Sequence, residues 1–129
     1  MARGGGCLVL LIGCMALDAA AGDISFVRNI VPIFKSRCVI CHMPGSEQAG
    51  LALHPKGGYA NLIDVKSTES TLMRVAPGSA ERSYLYRKLL GTQAAAGGGG
   101  ERMPFGDAPL SDAQLDTIRR WIESGARDD

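Results

Sequence analysis

Cys38-Val39-Ile40-Cys41-His42 places two thiols and an imidazole within one short run. Cysteines at i and i+3 fall on one side of a helical turn, so both sulfurs can reach neighbouring vinyl groups of a single porphyrin. The histidine that follows is then held beneath the iron, where a ring nitrogen can serve as proximal ligand. C-x-x-C-H is the covalent attachment signature of a c-type haem, and its single occurrence implies one haem c per chain. Two other chemistries use such a cysteine pair. A closed zinc site needs four nitrogen or sulfur ligands, and the remaining cysteines, Cys7 and Cys14, lie in a leader-like N-terminus. A thioredoxin-like redox pair belongs in a βαβ context, which the hydrophobic pattern lacks.

The second axial position separates an electron carrier from a reactive haem. A His/Met pair fills both axial sites and raises the reduction potential. Beyond residue 21 the chain offers Met43, Met73, Met103 and His54. Met43 adjoins the proximal histidine and cannot reach the other porphyrin face. Met73, beside Val75, reads as core filler, and His54, before Pro55, as a surface-loop residue. Met103 is the expected distal ligand. It follows the glycine-rich stretch 92–100 and precedes Pro104, which biases it towards an extended backbone suited to crossing a porphyrin.

These groups need elements to position them. Asp23 is a good N-cap for a helix running to Cys38. Phe26, Ile30, Phe34 and Cys38 recur every four residues, with Val27 and Ile33 beside them, as an apolar stripe that delivers the cysteines. Pro32 lacks a donor and predicts a kink or a late helix start. Residues 44–58 read as a loop with an extended piece at 51–53, and residues 59–65 as a short helix. Val75-Ala76-Pro77-Gly78 signals a turn. Ser79 then caps a helix that runs through Leu90 and stops at Gly91. Residues 92–100 (TQAAAGGGG) read as a flexible loop within the domain. Ser111 to Gln114 fits a capping box, with Leu110 and Leu115 as its hydrophobic staple. Leu115, Ile118 and Ile122 form the inner face of that last helix, with Trp121 beside it, and Gly125 stops it. The expectation is a mainly α domain of about 3–5 short helices.

Residues 1–21 read as a secretory signal. Arg3 supplies positive charge, residues 7–17 are apolar but too short to cross a bilayer, and Ala19-Ala20-Ala21 suits cleavage. Residues 22–129 then form one periplasmic domain with no transmembrane helix. An uncleaved anchor would lack its stop-transfer pattern. Leu11-Ile12-Gly13-Cys14 also resembles a lipobox, so a lipid anchor at Cys14 facing the periplasm is the alternative processing. Cleavage after Ala21 removes Cys7 and Cys14. Thioether bonds would consume the other two cysteines, leaving no disulfide framework.

The charge balance of 14 basic against 13 acidic residues points to neither nucleic acid nor an anionic membrane. Arg82, Arg87, Lys88, Arg119 and Arg120 read as solvated helix faces. With three Phe, three Tyr and one Trp the core is thin, so a large apolar cofactor would support the fold.

The chain resembles monohaem c-type cytochromes, and more narrowly the Planctomycete-type cytochrome c domain. The resemblance spans residues 22–129 through Ile30-Val31-Pro32-Ile33-Phe34 ahead of Cys38-x-x-Cys41-His42, and Tyr59-Ala60-Asn61-Leu62. It continues through Val75-Ala76-Pro77-Gly78, Ser83-Tyr84-Leu85-Tyr86-Arg87-Lys88-Leu89, Arg102-Met103-Pro104, and Leu110-Ser111-Asp112 leading to Trp121-Ile122-Glu123-Ser124-Gly125-Ala126. It implies a cytochrome c-like fold around one covalent haem. Cys38 and Cys41 would be the attachment sites, His42 the proximal iron ligand and Met103 the distal one. The implied activity is one-electron transfer between a redox donor and acceptor protein, without enzymatic turnover. Two related roles remain open: a cytochrome subunit of a periplasmic dehydrogenase or oxidase, and a five-coordinate haem peroxidase or gas sensor. The last requires Met103 to leave the iron.

Overall fold

A computed structural model describes Met1 and residues 23–129. The expected signal and the alternative lipobox, with Cys7 and Cys14, lie outside the described residues.

The first helical stretch is capped by Ser25, not Asp23. The Ser25 hydroxyl accepts from the Arg28 N–H at 3.1 Å and donates to the carbonyl oxygen of Asp129, so one group both starts the helix and anchors the C-terminus. Asp23 lies outside the helix and pairs with Arg127 at 3.4 Å. Phe26–Ile30 winds as a π-helical turn, and α1 continues over Val31–Arg37. The wide turn falls where Pro32 has no N–H to offer the preceding turn, so proline changes the winding without breaking the helix.

Phe26, Ile30, Ile33 and Phe34 are buried as expected, whereas Val27 is 59% exposed. Phe26 takes the inward position at this end, with ring centroids 5.2 Å from Tyr59 and 5.3 Å from Trp121, and the next residue is turned outward.

Helix α4, Asp112–Glu123, carries the capping box read from the sequence. Ser111 Oγ accepts from the Gln114 N–H at 3.2 Å, and Gln114 Oε1 accepts from the Ser111 N–H at 3.0 Å. Ile118, Trp121 and Ile122 face inward, while Arg119 and Arg120 pair with Asp116 and Glu123 on the outer face. Trp121 is fully buried and its Nε1–H donates to the Arg127 carbonyl at 3.0 Å. The π-helical turn packs on α4, and aromatic rings fill the contact.

Helix α2 spans Gly58–Leu62, shorter than the sequence predicts. Its continuation is pulled into bridges: the Val75 N–H donates to Leu62 and the Arg74 N–H to Val65, at 3.1 and 2.7 Å. Helix α3, Tyr84–Leu90, starts after Ser83 and not after Ser79. The buried Ser83 hydroxyl accepts from the Ala76 N–H at 2.9 Å and donates to the Ser79 carbonyl at 2.8 Å, closing that segment as a turn of its own. Gly91 ends α3 at φ 76°, a left-handed position where glycine carries no Cβ penalty.

The stretch 92–100 is built into the fold and is not a free loop. It contains a 3₁₀ turn, Gln93–Ala96, and the buried Gln93 side chain donates to the Gly100 carbonyl at 2.7 Å. A Cβ at Gly98 would overlap the Tyr84 hydroxyl and ring. Gly98→Ala is therefore expected to cost about 1–3 kcal/mol as overpacking, read as a lower thermal midpoint with native circular dichroism retained at low temperature.

The described residues form a small, mainly helical fold with four short α-helices and isolated bridges. Among them, no helix is long and apolar enough to cross a membrane.

Candidate functional site

Helix α1 ends at Cys38, whose N–H still donates to the Phe34 carbonyl at 2.9 Å. The chain keeps turning beyond it: the Cys41 and His42 N–H groups donate to the Cys38 carbonyl at 3.2 and 3.1 Å. Cys38, Cys41 and His42 consequently line the same cleft, which has a volume of about 590 Å³. Both thiols are free of disulfide bonds.

Burial pushes the Cys38 thiol up to about 11, with neighbouring Arg37 opposing and Cys41 adding to the rise. A redox-active C-x-x-C pair needs the opposite, a thiol made more acidic by its surroundings. Among the described residues no three His, Cys, Asp or Glu side chains converge, so a closed zinc site lacks its donors.

His42 is oriented by the segment that follows it. Its Nδ1 lies 2.9 Å from the Leu51 carbonyl oxygen, and its own carbonyl accepts from the Leu53 N–H at 2.7 Å. A carbonyl can only accept, so the hydrogen bond assigns the ring proton to Nδ1 and leaves the Nε2 lone pair free. Metal-ligating histidines are commonly held in this way. The extended piece at 51–53 thus has a task that its sequence did not advertise.

Met103 reaches the cleft from the far end of the chain. Its N–H donates to the Lys88 carbonyl at 3.0 Å, its half-buried side chain packs on the core, and the Met103–Pro104 peptide is cis. Arg37 ties the end of α1 to this loop, with its guanidinium 3.2 Å from the Asp107 carboxylate and bonded to the Ala108 carbonyl. The cleft therefore brings together all four residues that the sequence singles out.

The other candidates lie elsewhere. Met43, Met73 and His54 do not line the cleft. Met73 is 39% exposed and is not core filler: its segment bridges Lys66 on one side and Ser83 on the other, and its side chain stays at the surface. His54 is half-buried, not a free surface residue, and its Nδ1 has no partner.

Leu51, Leu53, Leu62, Leu85 and Leu89 supply the apolar lining. A cleft of this size, with a mostly apolar surface and polar groups among its lining, suits a cofactor. An imidazole nitrogen and a thioether sulfur are iron donors, and paired thiols at the rim suit covalent attachment, so the residues present fit haem. Two cleft residues escaped the sequence reading. Nothing in the sequence marks Arg74, and Lys88, which reads as part of a solvated face, is buried. Its position four residues after the buried Tyr84, on one face of α3, was the available signal. Scanning protein-family models, curated proteins and solved structures for similarity to this chain returns no match.

Proposed function

We propose that this chain is an exported, periplasmic monohaem c-type cytochrome of the Planctomycete type that it resembles, working as an electron-transfer protein. The observation that carries this reading is the meeting of the C-x-x-C-H run with Met103 on one apolar cleft, with His42 already held in the ligating tautomer. Cys38 and Cys41 would fix the macrocycle through thioether bonds. His42 Nε2 and the Met103 sulfur would be the iron donors. Bound haem supplies the one-electron ferric/ferrous couple.

The polypeptide supplies the rest. The Leu51 carbonyl holds the imidazole in place, and the leucines give the cleft apolar walls. The Arg37 link keeps the Met103 loop against the end of α1. Donors held in fixed positions keep reorganisation small when the electron arrives, which is what a carrier requires.

Optical spectra of the purified oxidised and reduced protein test the reading. A low-spin spectrum with a weak far-red methionine–iron band is expected. A high-spin protein that binds carbon monoxide rapidly would favour the peroxidase or gas-sensor role instead. One observation supports the subunit role beside the free carrier: Ile40 and Phe105, at the cleft rim, are 88% and 70% exposed. Exposed apolar side chains of this kind suit docking against a dehydrogenase or oxidase.

A further inference from the structure

Two buried cations line the cleft without pairing to a carboxylate. Arg74 and Lys88 are only 9% and 8% exposed, and neither belongs to an ion pair among the described residues. The Arg74 guanidinium donates to the carbonyls of Asn61, Ala49 and Gly50 at 3.0, 3.1 and 3.0 Å. These partners are neutral, and a guanidinium has five N–H groups, so part of its fork is left over. Lys88 Nζ donates once, to the Gly99 carbonyl at 3.0 Å. Glu69, Glu101 and Asp107 also line the cleft, but Glu69 accepts from the Tyr84 hydroxyl at 3.4 Å, Asp107 pairs with Arg37 at 3.2 Å, and none of the three forms an ion pair with Arg74 or Lys88.

Burying a cation against neutral dipoles alone is costly, and the cost falls when an anion joins it. Burial already lowers the Arg74 pKa from its ordinary value. If Arg74 served only to clamp the 49–50 loop to α2, uncharged donors would suffice.

We infer that Arg74, with Lys88 as a second cation on the same cleft, forms a subsite for the carboxylates of the cleft's ligand. On the haem reading, on which this inference rests, those carboxylates are the porphyrin propionates. Guanidinium–carboxylate pairs are bidentate and directional, so the subsite would set how the macrocycle lies relative to its thioether edge. A cation there also favours the reduced haem, which carries one negative charge more than the oxidised form.

A crystal structure of the haem-loaded protein should place a propionate oxygen about 2.7–3.2 Å from an Arg74 guanidinium nitrogen. Propionates directed elsewhere, with Arg74 still bonded only to carbonyls, would overturn the inference while leaving the haem reading intact. A chain of unmodified mass would instead remove the haem reading itself.

Potentiometry of Arg74→Gln and Arg74→Lys separates charge from clamping. Arg74→Gln should shift the redox equilibrium roughly tenfold towards the oxidised form, 59 mV for one electron. Arg74→Lys should keep a near-wild-type potential, even where the loss of carbonyl bonds lowers its melting temperature. Potentials that fall equally in both variants, in step with their melting temperatures, would mark Arg74 as a structural clamp only. Should neither variant fold, the wild-type crystal structure decides.

Discussion

Cys38→Ala/Cys41→Ala protein, exported and purified, is expected to carry no covalent haem and to lose most of its helical circular dichroism and its cooperative melting. The reason lies in how the core is divided. Phe26, Phe34, Tyr59 and Trp121 join the first helix to α4 and the C-terminus, and this half has aromatic mass of its own. The other half, where Leu62 at the end of α2, α3 and the Met103 loop meet, presents leucines to a cleft of about 590 Å³. Small domains bury too little surface to tolerate such a gap without a cofactor, metal or disulfide to fill or staple it. A sharp thermal transition in the haem-free double variant would show that the aromatic half is sufficient alone.

Met103→Ala is expected to leave haem attached but to convert the optical spectrum from low to high spin. The far-red band should disappear and carbon monoxide should bind rapidly to the reduced protein. The reduction potential should fall by on the order of 0.1 V, a modest part of the roughly 0.8 V that axial ligation spans. The Met103 backbone is tethered to Lys88 and its loop to Arg37, so the substitution removes the sulfur and leaves the strap in place. Unchanged spectra and potential in this variant would assign the second axial position to another group.

The residues bearing the candidate chemistry were legible because their signals are local. C-x-x-C-H is five consecutive residues, the Ser111–Gln114 capping box is four, and Gly91 and Gly125 mark helix ends where the structure has left-handed backbone. Less legible was anything decided by partners distant in sequence. Ser25 displaced Asp23 as the cap because its hydroxyl also binds the chain terminus at Asp129. Ser83 displaced Ser79 because it could close a turn back to Ala76. The glycine-rich stretch looked free, yet Lys88 and Gln93 donate to its carbonyls and Gly98 lies against Tyr84.

The same limit applies at the cleft. The sequence identified Cys38, Cys41, His42 and Met103 by type, but the Leu51 carbonyl that orients His42 is a backbone atom, invisible to any reading by side chain. Lys88 reads as surface charge because lysine usually is, Arg74 carries no signal in the sequence at all, and only tertiary packing buries the two.

Intact-mass spectrometry of the exported protein after acid denaturation is the most direct test. Covalent attachment through Cys38 and Cys41 predicts a single species, heavier than the processed chain by one haem, with the added mass retained after unfolding. A species at the bare chain mass, with both thiols open to alkylation, would contradict it.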